Sequence, residues 1–312
     1  MFYNVFTKKV PSCDGVNTLC GKVYVPVGEI KAIFQVVHGM AEHIDRYDEF
    51  MGFMAENGYV VFAYDHVGHG ETGAKFGKLG YISDKFGYKT LVDDAYNFAE
   101  AVKADFPDKK HVLMGHSMGS FVARIYAARY GKGLAGLIPM GTGGHNPVAK
   151  MGILLTKTIK EKFGTTYVSD FVNGLIFGSY NARTEKESEF DWLSANKANV
   201  EKYESDAFCG YPFTISAMQD LITLTYLANT QTVARQTPKN LPVYFVAGAE
   251  DPVGAYGEGV KRVAFELHKK GVKDVKFKLY PGARHEILNE DCKGEVMADI
   301  FAFAERVTAD IE

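Results

Sequence analysis

The chain has 312 residues, of which 46% are hydrophobic and 23% charged, so it can bury the core of one large α/β unit and lacks the polar signature of disorder. A net charge of −3 with no concentration of Lys and Arg argues against a nucleic-acid partner, and no run approaches the roughly 18 apolar residues of a spanning helix. Four scattered cysteines (Cys13, Cys20, Cys209, Cys292) form neither a disulfide framework nor a CxxC pair for zinc, so reduced thiols, no metal and a cytoplasmic location are expected.

In chain order, short β-branched and aromatic runs alternate with helical periodicity, the pattern of a sheet wound with crossover helices. Strands are expected at 3–10 and 22–27, paired antiparallel, and then at 32–37, 59–64, 111–114, 134–140, 243–247 and 275–280, parallel to one another. Helical spacing covers 47–57, 88–105, 118–130, 259–270 and 294–309. The fold class is therefore α/β, with an eight-stranded, mostly parallel sheet flanked by helices. Alternation breaks between 144 and 240, too long a stretch for a structureless loop. It reads as an inserted helical cap on a core made of residues 1–143 and 241–312. Within it Met151, Ile153, Leu154, Leu155, Ile159 and Phe163 form an apolar stripe opposite Lys157, Lys160, Glu161 and Lys162. That stripe can pack on the core, cover an apolar site or touch a membrane surface transiently.

After the strand beginning at 111 comes Gly115-His116-Ser117-Met118-Gly119, a G-x-S-x-G match followed at once by a helix. A serine on so tight a strand-to-helix turn needs flanking residues without side chains, and its hydroxyl then projects above the sheet. A hydroxyl is a poor nucleophile until a base takes its proton, so a histidine and a carboxylate must follow. His268 lies in a helix among charged residues, whereas His285 sits in the loop Pro281-Gly-Ala-Arg-His285 beyond the last strand, where such sites are built. The strand at 243–247 runs into Glu250 and Asp251; Asp251, braced by Pro252, is the favoured carboxylate and Glu250 the alternative. The developing oxyanion needs backbone donors, expected at the N–H of Met118 and, from the loop His38-Gly39-Met40, at the N–H of Met40.

These residues together resemble an α/β-hydrolase. The finer pattern is similar to the monoacylglycerol lipase and lysophospholipase-like branch, in which a mobile cap and no cofactor are the rule. His38-Gly-Met-Ala-Glu-His43 with Arg46-Tyr47 matches that branch's H-G-x-G-E-H…R-Y segment, and Asp65-His-Val-Gly-His-Gly70 its D-x-x-G-H-G segment. Asn181-Ala-Arg-Thr184, Asp191-Trp-Leu-Ser194 and Cys209-Gly-Tyr-Pro-Phe-Thr214 resemble cap segments of bacterial members. Ala41 departs from the branch, which usually has glycine there, and so does Thr72, where serine is frequent. The resemblance implies a serine hydrolase acting on a small acyl ester, with Ser117 as nucleophile, His285 as base and Asp251 orienting it. His38, Gly39, Gly115, His116 and Gly119 would support them. The same triad serves aminopeptidases and thioesterases, and a ligand receptor without turnover is the non-enzymatic alternative. The G-x-G-x-x-G match at Gly68-His-Gly70-Glu-Thr-Gly73 is set aside as a dinucleotide fingerprint, because no helix is expected to open at its last glycine.

Overall fold

The computed structural model describes residues 2–75 and 77–309. Its strands are β1 (Tyr3–Pro11), β2 (Thr18–Pro26), β3 (Ala32–Val37), β4 (Tyr59–Tyr64), β5 (His111–His116), β6 (Leu134–Met140), β7 (Val243–Gly248) and β8 (Val275–Tyr280). They form one sheet in the order β1-β2-β4-β3-β5-β6-β7-β8. β2 runs antiparallel to both β1 and β4, and all later pairings are parallel, as expected from the sequence. β2 begins earlier than the expected 22, because Leu19 and Cys20 are already buried and Asp14 closes the turn by accepting the N–H groups of Val16 and Asn17.

Every residue of β3, β4 and β5 is buried, as parallel strands covered on both faces must be. Four helices lie among the first strands: α1 (Asp48–Glu56), α2 (Gly70–Ala74), α3 (Gly87–Lys103) and α4 (Met118–Tyr130). Between β6 and β7, which pair directly, come α5 (Ala149–Phe163), α6 (Asp170–Phe177), α7 (Lys197–Ser205), α8 (Ile215–Ala228) and α9 (Gln231–Gln236); α10 (Glu258–Lys269) and α11 (Lys293–Thr308) follow. Side chains alternate across the strands. Ile33 and Val37 pack with Phe98, Val122 and Tyr126 of α3 and α4, while Phe34 and Val36 pack with Phe50, Met51 and Ile300 of α1 and α11.

The inserted helices start by a different rule from most of the core helices. α6, α7, α8 and α9 each begin at a side-chain cap, where Ser169, Asn196, Thr214 and Thr230 accept a first-turn N–H. The stripe expected on α5 is divided. Ile153, Leu155 and Ile159 are partly buried, whereas Met151, Leu154 and Phe163 remain exposed. Among the described residues no helix is long and apolar enough to cross a membrane.

Candidate active site

β5 ends at His116, and the chain turns through Ser117 into α4 with Ser117 at φ 51° and ψ −118°. That left-handed backbone costs energy for a non-glycine residue and is held from several sides. The Ser117 N–H donates to the carbonyl of Met140 at 3.0 Å, and its own carbonyl accepts from Ser120 N–H and Oγ at 2.9 and 2.6 Å. The flanking glycines are steric necessities. A Cβ on Gly119 would lie 2.1 Å from the Val37 carbonyl, and one on Gly115 would lie 2.2 Å from the Gly119 carbonyl.

His285 and Asp251 arrive from the ends of neighbouring strands. His285 Nδ1 lies 3.0 Å from Asp251 Oδ2, and both side chains are buried. The other carboxylate oxygen of Asp251 accepts the Val253 N–H at 2.9 Å, so the acid is fixed before the histidine meets it. Glu250 is exposed, which removes it as the alternative, and His268 is likewise exposed on α10. The His285 ring lies between those of His116 (4.7 Å) and Trp192 (5.1 Å). Its Nε2 has no hydrogen-bond partner among the described residues, so the hydroxyl–imidazole bond of a resting triad is not made in this structure.

Ser117, His285, Met40 and His116 line one cavity of about 1180 Å³. Its walls include Met151 and Leu155 of α5, Val172 and Ile176 of α6, and Leu221 and Ile222 of α8, an apolar lining with few charges. The loop after β3 passes directly beside Ser117: a Cβ on Gly39 would lie 3.1 Å from Ser117 Cβ. Met40 therefore follows at the cavity wall, and Met118 occupies the first position of α4, where a helix leaves backbone N–H groups unpaired. Ala41 has φ 49°, which explains why glycine is the easier residue there, and its carbonyl accepts from Tyr203 Oη at 2.8 Å and Gly210 N–H at 3.0 Å. Thr72 does what a serine would: its buried Oγ1 accepts the Cys20 N–H at 2.9 Å.

A buried polar network ties these pieces together. Glu42 Oε1 accepts from the Gly39 N–H and from Tyr47 Oη, and lies 3.0 Å from His116 Nδ1. Burial opposes ionisation of Glu42, yet the hydrogen bond and charge of His116, with Arg46 and Tyr47, hold its carboxyl well below the usual range. His116 moves the other way: burial pulls it down, but the hydrogen bond and charge of Glu42 win and raise it. Arg46 lies 3.6 Å from Glu42 and binds Glu286, which also accepts from Asn199 of α7 at 2.8 Å. The network thus joins neighbours of Met40, Ser117 and His285 to the insert. The sequence places His116 as a support and holds Glu42 and Arg46 within the His38–His43 and Arg46-Tyr47 motif without assigning them a role, whereas nothing local marks Glu286.

His38 and the Asp65 segment brace the same loop. His38 Nε2 accepts the His66 N–H at 3.0 Å, and Asp65 accepts the N–H groups of Ile44 and Glu71. Burial pushes Asp65 up to about 6 despite those bonds. Gly68 and Gly73 pack on one another as part of this brace, not as a phosphate-binding turn. His43, Asp206 and Cys209 also approach one another, but Arg46 Nη1 stands 4.0 Å from Cys209 Sγ, so a cation already occupies that corner.

A family model for serine aminopeptidases of the S33 type matches residues 28–292. The chain belongs to that family. Among S33 relatives, mouse monoglyceride lipase is 27% identical over 288 residues, covering 89% of this chain and 83% of the relative. The monoacylglycerol lipase of Mycolicibacterium smegmatis is 26% identical over 284 residues, 89% of each chain. A thermostable carboxyl esterase from Bacillus coagulans, crystallised with glycerol, superimposes with a TM-score of 0.93 at 34% identity over 98% of this chain and 99% of that one. This S33 member has the α/β-hydrolase fold and is a carboxylic ester hydrolase, as the sequence led us to expect.

Proposed function

We propose that the chain hydrolyses esters of the monoacylglycerol or lysophospholipid type through an acyl-enzyme on Ser117. The observation that carries this is the buried Asp251–His285 hydrogen bond at the wall of the same cavity that Ser117 enters from its left-handed turn. His285 takes the Ser117 proton as Oγ attacks the ester carbonyl, and Asp251 steadies the imidazolium that results. The oxyanion is held by the N–H groups of Met40 and Met118. His285 then passes the proton to the leaving alcohol, and water admitted to the site frees the acid by the reverse sequence. The open Nε2 is the position that substrate binding brings to the hydroxyl, since such bonds are often long before substrate arrives. The apolar wall made by α5, α6 and α8 suits an acyl chain.

We assign the outer face of α5 and α6, where Leu154, Phe163 and Phe171 are exposed on elements that also carry exposed Lys150, Lys157 and Lys162, to contact with an anionic lipid surface that supplies such substrates. The test is fluorophosphonate labelling followed by peptide mass, together with a series of oxygen esters, thioesters and aminoacyl amides. Labelling of Ser117 with turnover of the long oxygen esters supports the reading. Labelling elsewhere, or preference for the amides, overturns it.

A further inference from the structure

Arg124 lies on α4, the helix that Ser117 heads, and is buried. A buried guanidinium ordinarily has a carboxylate beside it. This one has none among the described residues. Its Nη1 donates to Thr142 Oγ1 and to the Gly143 carbonyl, both at 3.2 Å, and its Nη2 donates to the Ala228 carbonyl at 2.6 Å and to Asn229 Oδ1 at 3.0 Å. Ala228 is the last residue of α8, so the charge rests on carbonyls at the negative end of a helix. Burial lowers the guanidinium pKa to about 9, which leaves it charged near neutral pH.

The partners are the two legs of the insert. Thr142 and Gly143 form the segment by which the chain leaves β6, and Ala228 and Asn229 end the helix on which α5 is carried. Asn229 Nδ2 reinforces the tie by donating to the Gly143 carbonyl at 3.4 Å and to the Thr225 carbonyl at 2.8 Å. Gly143 and Thr225 are themselves cavity wall, as are Leu221 and Ile222 further up α8. The outgoing leg has no slack on its other side. A Cβ on Gly141 would lie 3.1 Å from His285 Cε1, and one on Gly144 would lie 2.9 Å from the backbone of Gly259. A shift of either leg therefore moves the apolar wall relative to Ser117.

We propose that Arg124 is a positioning residue that clasps both legs of the insert to the nucleophile helix and thereby sets the length of acyl chain the cavity accepts. The inference rests on the acyl-ester reading above. The planar fork matters more than the charge, because four acceptors on two segments must be reached from one side chain.

The test compares Arg124→Met, Arg124→Lys and the unaltered full chain on p-nitrophenyl butyrate, dodecanoate and hexadecanoate. The clasp predicts that Arg124→Met keeps its circular dichroism and turns over butyrate within about twofold of the original kcat, while KM for the long esters rises roughly fivefold or more. Arg124→Lys falls between the two, and millimolar guanidinium restores part of the long-chain KM of Arg124→Met. A folded Arg124→Met with an unchanged chain-length profile, or with an equal loss on every ester, overturns the proposal. Should Arg124→Met fail to fold, Asn229→Ala removes one acceptor and leaves the arginine. A smaller shift in the same direction supports the clasp, and no shift overturns it. An original chain that turns over none of these esters would instead defeat the acyl-ester reading itself.

Discussion

The two halves of the insert are built on opposite principles. Residues 180–213 are bound to the loops that carry Ala41, Asp251 and His285 at many points: Arg183 stacks on Tyr256 at 3.6 Å, Arg284 reaches the carbonyls of Asp191 and Ser194, Asn199 binds Glu286, and Tyr203 and Gly210 hold the Ala41 carbonyl. Helices α5 and α6 rest mainly on α8 and its approach, through Lys160 to Gln219 and the Tyr167 carbonyl to the Ile215 N–H, and turn large apolar side chains outward. One half is joined to the loops of the candidate site, and the other forms an apolar wall carried on α8. Among the described residues, positive φ at non-glycine positions gathers around the first half, at Ala41, Ser117, Lys186, Ala255 and Tyr256, with Phe86 as the exception. Strain of this kind persists only where the surroundings over-determine the conformation.

The largest effects are expected around the Asp251–His285 pair. Asp251→Asn leaves the shape intact but removes the partner that sets the His285 tautomer, and kcat is expected to fall by roughly 10⁴, measured on p-nitrophenyl butyrate. A loss below tenfold would mean that the buried pair is not part of the machinery. Next in size is Arg46→Met, which leaves Glu286 buried without its cation and Glu42 with His116 alone. About 3–5 kcal/mol of stability should disappear in a urea titration. An unchanged midpoint would show that the network does not tie residues 180–213 to the core.

Smaller effects come from the buried histidines of the core, through pH. Burial holds His66 and His111 down to about 3 and His69 down to about 4, against 6.5 for the exposed group. The unfolded chain therefore takes up protons first, so stability that is complete above pH 6.5 is lost progressively as the pH falls towards 4. Each of these histidines contributes roughly 1.4 kcal/mol per pH unit in that window. Its ring packs between Phe62 and Tyr126, so His111→Phe should flatten the acid limb of a plot of melting temperature against pH. An identical limb would exclude His111 as a contributor. The smallest effect belongs to the outer wall. Leu154→Ser with Phe171→Ser should alter stability by no more than about 0.5 kcal/mol each, yet weaken sedimentation with phosphatidylglycerol vesicles. Undiminished sedimentation would remove the lipid contact.

Much of this was legible in the sequence where the signal is local. The turn at Ser117 announces itself because two glycines are forced by carbonyls within contact distance, and buried strands such as β3 and β4 read as unbroken apolar runs. The choice of Asp251 over Glu250 followed from Pro252 and the strand end. Glu42 and Arg46 stood in a recognisable motif, but their tie to Glu286 was not legible, because Glu286 meets Arg46 across 240 residues of chain and nothing near Glu286 marks the encounter. Arg124 was hidden for the same reason, since its partners are mostly backbone carbonyls on distant segments. Most of the insert's helices also escaped, since α7 is polar and its start is set by the Asn196 cap instead of an apolar stripe.

Mass analysis of the protein quenched during turnover of p-nitrophenyl butyrate tests the central claim most directly. The account predicts one butyryl group on the peptide containing Ser117, absent in Ser117→Ala, whose kcat/KM drops by roughly 10⁴–10⁶. An adduct on another residue, or Ser117→Ala working at the original rate, would contradict it.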